Sequence, residues 1–100
     1  MVKLKVTFSK TGDMRFISHL DLVRLFQRAS RRANLPVFIT RGYSPHLKIS
    51  ITRALKLGIS SENEEAIFCM NERVEPEKFL IAINEKLPSG VRVRAVEEVN

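Results

Sequence analysis

Apolar and polar residues alternate at the start of the chain. Val2, Leu4, Val6 and Phe8 are separated by Lys3, Lys5, Thr7 and Ser9, a period of two that predicts a strand with one buried face. Lys10 to Asp13 reads as a turn, and Met14 to Ile17 leads into a helix. There the period changes. Leu22, Phe26, Ala29 and Ala33, flanked by Leu25, form an apolar stripe at helical spacing. Ser18 and Asp21 have the spacing of a capping box at the helix start. Asn34 and Pro36 end the helix near Ala33.

Val37 to Thr40 predicts a short strand, and Lys48 to Thr52 another. Arg53 to Asn63 reads as a connection without a clear period. Glu65 to Met70 predicts a strand with Ile67 and Cys69 on the side opposite Ala66, Phe68 and Met70. A second helix begins near Pro76, a residue suited to a first helical position. Phe79, Leu80, Ile83 and Leu87 make its apolar face, and Pro88 to Gly90 end it. Val91, Val93 and Ala95 then alternate with Arg92 and Arg94 in a last strand. Two strand–helix–strand halves in this order predict an α+β domain of the ferredoxin-like type, a two-layer sandwich with an antiparallel sheet and both helices on one face. Its length of 100 residues makes residues 1–100 one domain.

Composition adds exclusions. An apolar share of 44% is that of a globular chain rather than a disordered one. The single cysteine, Cys69, forms no intrachain disulfide. No secretory leader opens the chain and no apolar run is long enough to span a membrane, which points to a cytoplasmic protein. No cofactor or metal is implied. His19, His46 and Asp21 are the nearest approach to a metal set, but His19 and Asp21 stand two apart on a helix and point to different faces. Cys69 reads as a small apolar residue, and a general acid–base role falls only to His19 or His46.

Charge changes the picture more. Residues 1–60 carry twelve Lys and Arg against Asp13 and Asp21, a net of +10, whereas residues 61–100 carry five against nine Glu, a net of −4. A basic side of this kind attracts polyanions. Arg24, Arg28, Arg31 and Arg32 line one side of the first helix. Lys3, Lys5, Arg92 and Arg94 are expected on the uncovered sheet face, as a second cationic surface. Arg41-Gly-Tyr-Ser-Pro-His-Leu-Lys48 gathers Arg41, Tyr43, His46 and Lys48 around Gly42 and Pro45, more chemistry than a simple turn requires.

Two stretches carry a likeness. Arg15 to Ala33, with Leu35-Pro36, resembles the opening helix of the radical-SAM-linked family, a bacterial domain of unknown function found fused or adjacent to radical SAM proteins. Gly42-Tyr-Ser-Pro-His-Leu-Lys-Ile-Ser50 resembles its second motif, with Ser44 and Leu47 standing where that pattern has asparagine and proline. Phe8 to Gly12 fits as well, and Leu57-Gly58-Ile59 with Ser61 and Glu64 resembles a third motif. The likeness spans roughly residues 4–65. It implies an accessory module without catalytic residues of its own, working near RNA or the translation machinery beside a radical SAM partner. Three clustered cysteines would be needed for that partner's chemistry, and this chain has one. The expected function is binding of structured RNA, tRNA or rRNA, through the basic helix and loop. The alternatives are a protein–protein adaptor for a radical SAM enzyme and a small histidine-dependent enzyme or metabolite binder.

Overall fold

The computed structural model describes residues 2–52 and 58–99. Four strands form one antiparallel sheet: β1 (Val2–Lys10), β2 (Ile49–Ile51), β3 (Ser61–Met70) and β4 (Val91–Val99). Their spatial order is β2-β3-β1-β4, with β1 and β3 central. The helices α1 (His19–Arg32) and α2 (Pro76–Asn84) connect β1 to β2 and β3 to β4. This is the strand order and connectivity of the ferredoxin-like sandwich, as the element order predicted.

Both helices cover the same sheet face because the inward positions supply the apolar surface. Leu4, Val6 and Phe8 of β1, Ala66, Phe68 and Met70 of β3, and Val91 and Val93 of β4 are buried against Leu22, Phe26 and Ala29 of α1 and Phe79 and Ile83 of α2. Four phenylalanines run through this core edge to face. Phe8 and Phe26 have centroids 5.0 Å apart, Phe26 and Phe68 5.7 Å, and Phe68 and Phe79 5.2 Å. Each such pair contributes about 0.5–1.5 kcal/mol beyond the area it buries, and the chain of rings ties both helices to one sheet.

Local chemistry sets the helix ends. Ser18 Oγ accepts the backbone N–H of Asp21 at 3.1 Å. The Asp21 carboxylate lies 3.6 Å from Arg24, so it serves the helix surface, and the reciprocal half of the expected capping box gives way to this pair. At the other end Asn34 adopts φ 55°. Leu35 N–H bonds to the Ser30 carbonyl at 3.0 Å and Asn34 N–H to that of Arg31 at 3.1 Å, a Schellman closure with asparagine in the left-handed position. Gly90 begins the return into β4 at φ +97°, where an added Cβ would lie 2.7 Å from the Thr11 carbonyl oxygen. Thr11 N–H donates to the Gly90 carbonyl at 2.8 Å, so this close approach joins the two halves of the sandwich.

Three expectations are corrected. First, the strand expected at 48–52 is present as β2, but 37–40 makes only isolated bridges and is not a strand of its own. Val37 bridges Met70, and Ile49 pairs with Phe68, so both flank the same position of β3. Phe38 N–H takes the Cys69 carbonyl at 2.7 Å while Cys69 N–H takes that of Lys48 at 3.0 Å. The edge strand is thus interrupted opposite Cys69, and the residues between project as a hairpin. Second, the sheet alternation of β4 breaks at Arg94. Phe8 pairs with Val93 but Thr7 with Ala95. This bulge turns Ala95 outward and brings Val96 against the core. Third, β3 starts at Ser61 rather than Glu65, so the expected connection is shorter; residues 53–57 of it, with Leu57 of the third motif, lie outside the described residues.

As an edge strand, β4 has free backbone groups, and Asn84 covers two of them. Its amide donates to the Val93 carbonyl at 2.9 Å, and its side-chain oxygen accepts Val93 N–H at 2.8 Å. The last residue of α2 therefore blocks the sheet edge where another strand would add.

Candidate nucleic-acid interface

The sequence points to two cationic surfaces, and the structure gives them different surroundings. On the open sheet face, Lys5 Nζ sits 3.5 Å from Glu65 and 3.2 Å from Glu97. The strand register produces this: Lys5 stands opposite Ile67 in β3 and Glu97 in β4. The hydrogen bond that Lys5 donates to Glu97, and then the charge of Glu65, raise the pKa of the Lys5 ammonium above its ordinary value. Arg94 lies 3.7 Å from Glu62. Lys3 and Arg92 remain exposed on the same face. The expected platform of four cations therefore carries three carboxylates among them.

The helix and hairpin present a different balance. No aspartate or glutamate occurs between Asp21 and Glu62. Arg24, Arg28, Arg31 and Arg32 are all exposed on α1, because the buried side of the helix is occupied by Leu22, Phe26, Ala29 and Ser30. Of these arginines only Arg24 has a carboxylate within salt-bridge distance among the described residues, Asp21 at 3.6 Å. Arg28 and Arg32 border a groove of about 490 Å³ between α1 and the end of α2, with Met14, Leu25 and Leu87 supplying apolar lining and Lys86 and Glu85 charged lining. Arg24 and Arg28 also border a neighbouring depression with Ile17 and Leu25.

The hairpin begins where Lys48 N–H meets the Phe38 carbonyl at 2.7 Å and narrows where Thr40 N–H donates to the His46 carbonyl at 2.8 Å. Thr40 Oγ1 accepts His46 N–H at 3.2 Å. His46 Nδ1 lies 2.8 Å from the Ser44 carbonyl. A carbonyl oxygen only accepts, so Nδ1 carries the proton, and in the neutral ring Nε2 is left as an exposed acceptor. Arg41 to His46 are all exposed. Gly42 has φ +127° with open space where a Cβ would stand. Tyr43, at the tip, is 108% exposed.

Sequence reasoning located the residues of both surfaces. It missed the neutralising role of Glu62, Glu65 and Glu97, which reach the sheet cations only through strand pairing. His19 lies at the start of α1 and His46 in the hairpin, both exposed. Among the described residues no three His, Cys, Asp or Glu are placed to hold a metal ion. Cys69 is a buried free thiol on the strand side opposite the helices. Among the described residues no helix is long and apolar enough to cross a membrane.

Fold and surface together define a small α+β domain of ferredoxin-like topology with a basic helix and a projecting hairpin. The chain belongs to the family described as an uncharacterised protein conserved in bacteria, DUF2344, whose sequence profile matches residues 3–100. The match runs through the second half of the chain, beyond the stretch that carried the resemblance. No curated protein matches the chain. Membership of a bacterial family without an assigned activity is thereby established; a radical SAM partner belongs to the proposal that follows.

Proposed function

We propose that this domain is an accessory module that binds structured RNA, of the tRNA or rRNA kind, and presents it to a separate enzyme. One observation carries the reading. The exposed cations Arg28, Arg31, Arg32, Arg41 and Lys48 have no carboxylate within salt-bridge distance among the described residues, in a stretch of chain that contains none. Unpaired exposed arginines repel one another and cost stability. A polyanion relieves that repulsion and releases counterions as it binds. Successive helical positions 24, 28 and 32 rise about 6 Å per step along α1, which suits a row of phosphate contacts.

The test is binding of the purified chain to bulk tRNA and to rRNA fragments at two salt concentrations, beside an Arg24/Arg28→Glu double variant. Affinity that falls steeply with salt and is lost in the variant supports the reading. Absent or salt-insensitive binding at low ionic strength overturns it.

A second reading, docking of a partner enzyme, draws on exposed apolar residues. Phe16 and Ile59 are 57% and 53% exposed, and Gly58 packs beside the Phe16 ring. The partner implied by the sequence resemblance is a radical SAM enzyme, which would bring its own cluster. Co-purification of such an enzyme without RNA would favour this reading over the first.

A further inference from the structure

The RNA reading leaves one feature of the hairpin unused. Cations suffice to hold phosphates, yet the hairpin holds an aromatic ring wholly in water. Tyr43 is 108% exposed, and the flanking hydrogen bonds fix the segment that carries it. Thr40 and His46 close the neck through a backbone pair at 2.8 Å and a side-chain bond at 3.2 Å. Within the loop, His46 Nδ1 ties to the Ser44 carbonyl at 2.8 Å. The ring is therefore presented from a braced loop rather than from a free segment, which lowers the ordering cost of binding.

We infer that Tyr43 stacks on an unpaired base, making the hairpin a reader of single-stranded loops or bulges within a structured RNA. The inference rests on the RNA reading above and names its substrate class. Charge selects the occupant: Arg41 and Lys48 are exposed cations on either side of Tyr43 in sequence within the same hairpin, and the nearest carboxylates in sequence are Asp21 and Glu62. A base brings a π-face together with a phosphate on each side, which satisfies ring and cations at once. Duplex RNA does not offer this, because its bases are stacked on one another and its major groove is too deep and narrow for side chains to read. Gly42, with no Cβ and open space around it, lets backbone approach the same nucleotide, and His46 is exposed beside it with Nδ1 held by the Ser44 carbonyl.

The composition of the chain supplies a direct probe. Tyr43 is the only tyrosine and there is no tryptophan, so the intrinsic tyrosine emission of the unmodified protein reports on this ring. The experiment titrates the full chain with a stem-loop RNA, the blunt duplex of its stem, and the same stem-loop with abasic loop nucleotides, correcting for RNA absorbance. Affinities come from the anisotropy of labelled RNA. Emission is expected to be quenched by the stem-loop and little changed by the duplex or the abasic loop. Tyr43→Ala is expected to weaken stem-loop binding by about 5- to 150-fold, the span of one base–aromatic stack, while leaving duplex and abasic binding unchanged. Tyr43→Phe is expected to stay near the parent. Equal, salt-dependent binding of all three RNAs without quenching would overturn the stacking and leave the RNA reading standing. Binding to none of them at low salt would overturn both. Quenching by phosphatidylglycerol vesicles but by no RNA would assign the ring to a lipid surface and overturn the inference.

Discussion

The open sheet face and the α1–hairpin surface each carry several cations, yet they are electrically unlike. On the sheet, Lys5 lies between Glu65 and Glu97, and Arg94 faces Glu62. On α1 and the hairpin, Arg28, Arg31, Arg32, Arg41 and Lys48 face water among the described residues. The difference comes from which half of the chain contributes. Strands β3 and β4 belong to the glutamate-rich half, so a cation on β1 acquires neighbours of opposite sign by pairing. Beyond Asp21 in its first turn, helix α1 sits with the hairpin in the stretch free of carboxylates. Counting positive residues therefore does not locate a polyanion surface. What matters is whether the fold brings carboxylates to them.

The largest effect expected from a single substitution lies beneath this contrast. Phe26 touches Phe8 on one side and Phe68 on the other and is fully buried. Phe26→Ala should cost about 3–5 kcal/mol, a large part of the roughly 5–15 kcal/mol that holds a domain together. Urea unfolding would read it as a lower midpoint at unchanged slope. A loss below about 1 kcal/mol would mean that α1, and the arginines it carries, is not held to the sheet by the ring chain. The next effect addresses the contrast directly. Arg24/Arg28→Glu should lower the slope of log affinity against log salt by about two, one for each phosphate contact removed. Lys3/Arg92→Glu on the sheet should leave that slope nearly unchanged. Equal losses in the two variants would show that net charge alone governs binding and would dissolve the distinction between the faces.

Much of the fold is legible in the sequence because its signals are local. The β1 alternation, the α1 stripe, Ser18 at the cap and Pro76 at the first turn of α2 each act within a few residues, and together they specify the sandwich. The hairpin was legible as a chemical oddity but not as a projection. That depends on Phe38 and Lys48 sharing the two backbone groups of Cys69, a long-range event without a local mark. The bulge at Arg94 was hidden for a related reason: Val91, Val93 and Ala95 keep a perfect alternation in sequence, and only the register against Thr7 and Phe8 shows where it breaks. The candidate site divides in the same way. Residue types marked the arginine row and the loop, whereas the pairing of the sheet cations depended on partners many positions away.

Ser30 offers a smaller change that sharpens the comparison. It lies on the buried side of α1 with its Oγ enclosed and without a hydrogen-bond partner among the described residues. Ser30→Ala removes a desolvated hydroxyl and replaces a middling helix former with the best one. Stability should rise by about 1 kcal/mol, read as a higher urea midpoint with RNA affinity unchanged. On that background the charge reversals on α1 and on the sheet can be compared without partial unfolding confusing the result. A loss of stability would mean that the hydroxyl fills space or meets a partner that these contacts do not reveal.

The smallest effect separates the two halves by pH. Arg73 forks onto Glu98, with Nε 2.9 Å from one carboxylate oxygen and a terminal nitrogen 2.7 Å from the other. Hydrogen bonding from Arg73 is the main cause that holds the Glu98 carboxyl below its ordinary range. A carboxylate depressed in the folded state stabilises above the unfolded value of roughly 4.3, and that contribution fades as pH falls through the folded value. The pair is exposed, so the effect on Tm is small at any pH. Its signature lies in the direction of change. Glu98→Gln should lower Tm slightly at neutral pH, and its Tm should converge on that of the parent as the pH drops through the carboxylate range. Arg28→Gln breaks no ion pair among the described residues and should shift Tm by the same amount at both ends of that range. A pH-dependent difference for Arg28→Gln would place a carboxylate within ion-pair distance of Arg28 in solution, and the arginine row would then resemble the sheet face after all.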